Sequence, residues 1–329
     1  MHTRRLGKTG FQIGEVGFGS WAIGGSWGEV PEDVARDTLR AALDAGVTFL
    51  DTADVYGDGR AERLVGDALE ERGRPDGIKV ATKAGRRLDT QVADDYDYEH
   101  LSRFARRSLE NLGVERLDLL QLHCPPTDVY RRDTAFEALE RMKREGMLEH
   151  YGVSVETVEQ ADLALEHEGV ASVQIIYNMF RFKPAEASFS KARQRDVGVI
   201  VRVPLASGLL SGSMSRDRHF GADDHRAFNR HGEAFDVGET FSGVDFETGL
   251  AAAEELEALV PEGHTLAQLA LRWVLMHPAV SVVIPGARRP EQVVDNVGAA
   301  ELPALSPRAM QRVREVYDAR IREQVHDRW

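Results

Sequence analysis

A chain of 329 residues, 42% hydrophobic and 29% charged, can bury one large core without a covalent or metal staple. Its net charge of −13 argues against a nucleic-acid surface, which wants a basic face; its single cysteine, Cys124, excludes an internal disulfide and fits a reducing compartment. The opening MHTRRLGKTGFQIG lacks an apolar h-region and a small-residue cleavage site, and no stretch approaches ~20 uninterrupted apolar residues. Neither a secretory signal nor a membrane span is expected, and a cytoplasmic protein is.

Short apolar runs then alternate with amphipathic segments. Residues 16–18 read as a first strand, followed by the glycine-rich GSWAIGGSWG. Residues 31–45 read as a helix: Pro31, Glu32 and Asp33 suit its first turn, Ala35, Leu39, Ala42 and Leu43 recur at helical spacing, and Gly46 stops it. VTFLD is a second strand ending at Asp51. Leu64, Val65, Ala68 and Leu69 mark the next helix, closed near Gly73; residues 78–82 are a third strand, with Lys83 after it. Leu101, Phe104, Ala105, Leu109 and Leu112 mark a helix ended by Gly113. LDLLQL is a fourth strand that His123 follows, and Ala135, Phe136, Leu139 and Met142 mark a helix before Gly146.

Later strands read at 151–155, 173–177, 197–201 and 280–284. Continuous apolar runs of this kind belong to parallel strands buried on both faces. Eight of them with intervening helices predict an α/β fold, a single (β/α)8 TIM barrel over residues 1–329. A doubly wound sheet would instead need a glycine-rich phosphate fingerprint after an early strand, and GFGSWAIGG does not supply it. Residues 208–245, after the seventh strand, are polar and aperiodic, which predicts a long mobile lid loop. From Ser306 the pattern is helical again, with Met310, Val313, Val316 and Ile321 spaced to dock one face as an extra C-terminal helix.

In a barrel the reactive groups belong at the carboxyl ends of strands. Asp51, Lys83 and His123 take such places and Tyr56 lies on the loop after the second strand, so the four should share one mouth. A phenol with its usual pKa near ~10 is a poor acid at neutral pH, and a nearby ammonium lowers that value. Asp51 can hold the Lys83 cation, and His123 can donate to a carbonyl oxygen. With a hydride source nearby, that is equipment for carbonyl reduction. Singly, each residue has a plainer reading: a surface lysine, an Asp51–Thr52 loop cap, a tyrosine packed beside Gly57, a satisfied histidine before Pro125 and Pro126. Their coincidence at matching strand ends carries the chemistry. A barrel aldolase with Lys83 as Schiff-base former is the rival, but that nucleophile needs a depressed pKa and Asp51 acts in the opposite sense. His219, Asp223, Asp224, His225 and His231 fit no standard ligand spacing, so no metal is expected. Cys124 reads as a packed thiol.

The runs GVTFLDTADVYGDGRAERLVGDAL, KVATKAG, LDLLQLHCPP, YGVSVET, QIIYNMF and VPLASGLLSG resemble, in order and over essentially the whole chain, the aldo-keto reductase superfamily. The resemblance implies an NAD(P)H-dependent oxidoreductase for a small aldehyde or ketone, with Asp51, Tyr56, Lys83 and His123 as its catalytic tetrad and Tyr56 as general acid–base. It implies that Ser154 and Gln174 (or Asn178) hold the nicotinamide carboxamide, as side chains able to pair with an amide can. Gly19, Ser20, Trp21 and Asp51 would border the cofactor, and Trp21 and Trp27 would line the substrate mouth with Tyr56 and His123. Residues 204–212, with Pro204, Leu205, Ser207, Gly208 and Leu210, would wrap the pyrophosphate. After the eighth strand, Gly286 and Arg288 precede a helix start that suits a phosphate, with Gln292 and Asn296 further on near the adenine.

Two departures from the family pattern stand out. Arg202 occupies the place where many relatives stack a tyrosine on the nicotinamide; a guanidinium can stack, with different electrostatics. Gly286-Ala287 and Gln292 replace a Lys-Ser pair and an arginine, which leaves Arg288 to meet a 2′-phosphate, so NADP(H) is expected over NAD(H). The alternative function is a redox-sensing regulatory subunit with negligible turnover, as in ion-channel accessory subunits that resemble this superfamily.

Overall fold

The computed structural model describes residues 1–25 and 27–329. An antiparallel hairpin, β1 (Thr3–Arg5) and β2 (Gln12–Gly14), opens the chain. Eight parallel strands follow in sequence order: β3 (Phe18–Gly19), β4 (Phe49–Asp51), β5 (Lys79–Ala84), β6 (Leu117–His123), β7 (Leu148–Ser154), β8 (Val170–Ile176), β9 (Gly198–Arg202) and β10 (Val280–Val283). Each pairs with its neighbour in the chain, and helices cover the outside. The ring closes where Gly17 N–H donates to Val283 O at 2.8 Å and Val283 N–H to Glu15 O at 3.0 Å, with Gly19 bridging Gly286. This is the expected (β/α)8 barrel.

The register places the site. Gly19 pairs with Asp51, Lys83 with Gln121, His123 with Ser154 and Ser154 with Gln174, all towards the carboxyl ends of their strands. Boundaries differ from the apolar runs in a consistent way. β5 continues through Ala84, so Lys83 lies inside the strand rather than after it, and His123 is the last residue of β6. β7 begins at Leu148, ahead of its apolar run, because its ladder with β6 already starts at Leu117 and Leu148. Hydrogen bonds carry a strand past the stretch that is apolar on both faces.

The helix Glu32–Asp44 follows Pro31, and Tyr98–Leu112 ends at Gly113, whose φ of 64° is a left-handed cap that glycine adopts without strain. One feature lay outside the sequence reading: the β1–β2 hairpin stoppers the amino-terminal end of the barrel. Its Leu6, Phe11 and Ile13 join Phe49, Ala81, Leu119, Ile200 and Val282 in one buried cluster. The approach is so close that a Cβ on Gly198 would stand 2.5 Å from Leu6 Cδ1.

Residues 208–245 are in two parts. Positions 212–223 are mostly exposed, whereas Asp224, His225, Arg226, Asn229, Glu239, Thr240, Phe241 and Ser242 are buried against the mouth. The C-terminal helix Pro307–Val316 and the turns to Val325 dock on Phe246–Glu257, burying Val313, Val316, Tyr317 and Ile321. Among the described residues no helix is long and apolar enough to cross a membrane.

Candidate active site

Strand ends aim the predicted residues at one point. Lys83 Nζ donates to Asp51 Oδ1 at 2.5 Å, to Thr52 O at 2.9 Å and to the Tyr56 hydroxyl at 3.3 Å. Asp51 Oδ2 accepts from Gln174 Nε2 at 2.7 Å and from Gln121 Nε2 at 3.4 Å, so the carboxylate is fixed on both sides. The Tyr56 and His123 rings meet edge to face, 5.8 Å between centroids, and the Trp21 ring stacks on Tyr56 at 6.0 Å.

Lys83 and Asp51 are almost wholly buried. Burial opposes the Lys83 charge, yet Asp51 and Tyr56 outweigh it and the ammonium is held above its usual pKa. His123 goes the other way: burial, with the Arg86, Lys83 and Arg202 charges, holds it well below 6.5 and therefore neutral at physiological pH. Tyr56 corrects the sequence argument. Burial raises its pKa, Lys83 pulls it back, and Asp51 and Glu239 raise it further, so the net shift is upward. The ammonium does favour the phenolate, but a low-dielectric pocket resists the charge more strongly.

Asp51, Tyr56 and His123 line a cavity of about 810 Å³, within the size range of small-molecule and cofactor sites, and Lys83 is buried outside its lining. Asp51, Tyr56, His123, Ser154, Gln174 and Arg202 line its deep end, with Gly19, Trp21 and Trp27. Pro204, Leu205, Ser207 and Gly208 line one wall, and Gly286, Arg288 and Gln292 the outer end. Ser20 and Leu210 are buried outside this lining, and Asn296 is 6% exposed with its amide 3.4 Å from Gly286 O. The chain turns sharply around residues 203–208, where Val203, Ala206, Ser207 and Gly208 all have positive φ. The Gln174 amide nitrogen is committed to Asp51, which leaves its oxygen for another partner, and Asn178 is tied to Val203 O and Ser242 Oγ at 2.8 Å each. Arg288 Nη2 donates to Glu29 O at 3.0 Å, and its backbone N–H to Gln292 Oε1 at 2.8 Å.

Arg202 does not hang free in the cavity. Its Nη1 pairs with Glu239 Oε2 at 2.5 Å and its Nη2 donates to Val155 O at 2.9 Å. A polar group of Arg86, Cys124, Glu156, Arg202 and Glu239 thus lies beside His123, and the sequence reading had singled out only Cys124 and Arg202 of it. Gln121 was missed as well, although a lone amide inside LDLLQLH was a usable signal. Glu239 carried none, since it arrives from an aperiodic segment. Cys124, Glu156 and Glu239 are close enough to share an ion, but two guanidinium groups already occupy their field. His225 instead packs against Trp21 and Trp27, at 4.8 and 4.4 Å between centroids, and burial drives it down to about 4.

A model of the aldo/keto reductase family matches residues 15–318. The aldo-keto reductase YhdN of Bacillus subtilis is 32% identical over 299 residues, 89% of this chain and 87% of that protein. The glycerol dehydrogenase AKR11B4 from Gluconobacter oxydans superposes with a TM-score of 0.77 at 31% identity, over 97% of this chain and 96% of that one. An aldo/keto reductase from Klebsiella pneumoniae, solved with NADP and acetate, gives a TM-score of 0.70 at 25% identity over 96% of each chain.

Proposed function

Because the chain belongs to the aldo/keto reductase family of oxidoreductases acting on carbonyl or alcohol groups, we propose that it reduces an aldehyde or ketone to an alcohol with NADPH, Tyr56 being the general acid. The observation that carries this reading is the Lys83 ammonium, 2.5 Å from Asp51 and 3.3 Å from the Tyr56 hydroxyl, both of which line a cavity with His123.

The cofactor fits what the cavity offers. Ser154 and the free oxygen of Gln174 would hold the carboxamide beside Tyr56, the turn at 203–208 would follow the pyrophosphate, and Arg288 would meet the 2′-phosphate, which favours NADP(H) over NAD(H). When bound, the reduced nicotinamide supplies a hydride, two electrons with one hydrogen. Neutral His123 donates to the substrate carbonyl oxygen and orients it. As the carbonyl carbon accepts the hydride, the C=O π pair becomes an alkoxide lone pair and takes the Tyr56 proton. Lys83 stabilises the phenolate left behind until solvent returns a proton, and Asp51 keeps the ammonium in place. A raised Tyr56 pKa keeps the acid protonated before this step. A reducing, cytoplasmic setting belongs to the same reading, since Cys124 is a free thiol.

The test is NADPH oxidation with a panel of aromatic and aliphatic aldehydes, wild type against Tyr56→Phe. Turnover should fall by roughly 10²–10⁴-fold in the variant while cofactor binding, read by fluorescence, persists. Wild-type protein that neither binds nor oxidises NADPH would end the proposal. Tight binding without turnover would point to the regulatory-subunit alternative.

A further inference from the structure

The reduction leaves one charge beside the tetrad unused. Arg202 and Glu239 form a close pair, 2.5 Å from Nη1 to Oε2. Arg86, which follows β5, has no such partner. Among the described residues its one side-chain hydrogen bond is long, 3.4 Å from Nη2 to Glu156 Oε1, and Glu239 Oε1 stands 3.8 Å away. The side chain is 23% exposed and lines the same cavity as Tyr56 and His123. The Phe235 ring, 5.8 Å from its Cζ, steadies it from the lid side. A guanidinium has five donors in a fixed plane, and among the described residues only one of them is used.

Glu156 is a weak competitor for it. Groups facing Glu156 are Arg86, Tyr96, Cys124, Tyr130, Arg202 from β9, and Asp236 and Glu239 from the lid segment. Burial pushes its carboxyl up to about 7, Asp236 and Glu239 add to the rise, and Arg86 and Arg202 pull against it. Near neutrality a large share of molecules therefore holds Glu156 uncharged, and Arg86 is then the cation left over. Trp21, Trp27 and Phe235 give the rest of this end an apolar, aromatic lining.

We propose that Arg86 anchors a carboxylate on the carbonyl substrate, so that the preferred substrates are aldehydes or ketones bearing a carboxylic acid. The inference rests on the reduction proposed above. A planar carboxylate matches the guanidinium fork with two parallel hydrogen bonds. A phosphate dianion would bring a second negative charge towards Glu239 and is disfavoured. Arg86 touches the substrate remote from the reacting carbon, so it acts mainly on KM.

Two aldehydes of nearly equal shape make the test: 4-carboxybenzaldehyde and its neutral amide, 4-carbamoylbenzaldehyde, with 4-formylphenyl phosphate as a third arm. At pH 6.5, wild-type kcat/KM for the acid should exceed that for the amide by about tenfold or more, the worth of a charge-assisted hydrogen bond, and most of the difference should lie in KM. Arg86→Gln should bring the ratio close to one, and Arg86→Lys should keep part of it. The ratio should fall as pH rises to 8, because ionised Glu156 then occupies Arg86, and Glu156→Gln should abolish that fall. A merely structural Arg86 would depress acid and amide alike. Equal wild-type rates for acid and amide, a ratio that survives in Arg86→Gln, or a preference for the phosphate would each overturn the inference while leaving the reduction standing. Wild type that turns over other aldehydes of the panel but not 4-carboxybenzaldehyde would likewise overturn the inference, whereas failure with every aldehyde tested would remove the reduction itself, and this inference with it.

Discussion

Asp54 stands two positions before Tyr56, wholly buried, with neither carboxyl oxygen hydrogen-bonded among the described residues. Burial pushes it up to about 7, the nearby Glu62 adds to the rise, and Arg87 and Arg107 offset part of it. The folded protein therefore keeps a proton that the unfolded chain gives up above about pH 4, and stability from this group falls as pH rises between about 4 and 7. Asp54→Asn should gain on wild type by roughly 2–4 kcal/mol between pH 4 and pH 8, measured by urea unfolding at each pH. No gain across that range would show that Asp54 is already ionised in the fold. At this scale the meeting of Asp51, Tyr56, Lys83 and His123 was legible because an acid, an amine and an imidazole fall near successive strand ends and a phenol on the loop that follows the first of them. The direction of the Tyr56 shift was not, since it depends on how deeply the hydroxyl is set and not on which cation stands beside it.

Among the elements, the strands were read from their apolar runs and the amino-terminal hairpin was not. Leu6, Phe11 and Ile13 are too few, and too interrupted by Gly7 and Gly10, to show a period of two. Their partners, Phe49, Leu119, Ile200 and Val282, lie on four other strands, so only closure of the barrel gives the hairpin a place to bury them. Leu6→Ala should cost about 2–5 kcal/mol of unfolding free energy by leaving a void at the barrel floor, with NADPH affinity unchanged because the cavity opens at the other end. A loss of cofactor affinity in step with stability would show that the two ends are coupled. Within the segment 208–245 the outer part, 212–223, buries few side chains, while the inner part is tied down by the Arg202–Glu239 and Arg226–Asp224 pairs.

Over the whole molecule, Trp329 packs on the segment that carries Glu239. Trp329 is 7% exposed; its indole N–H donates to Asp236 at 2.9 Å, and the Arg181 guanidinium lies 3.8 Å over its ring. A Cβ on Gly243 would fall 2.3 Å from that ring, so the tail is packed directly beneath the segment that presents Glu239 to Arg202. Trp329→Ala should lower stability by about 3–5 kcal/mol and, unlike Leu6→Ala, also raise KM for substrate by loosening Asp236 and Glu239. An unchanged KM in stable, folded variant would separate the tail from the mouth. The sequence by itself determined the barrel, the docking of the C-terminal helix and which side chains, Asp51, Tyr56, Lys83 and His123, should meet at one place, because periodicity and residue type are local properties of the chain. Tertiary structure alone decided the hairpin stopper, the Gln121 and Gln174 grip on Asp51, and the Arg86, Glu156 and Glu239 group, because their partners are far apart in the chain and meet only when eight strands close into a ring.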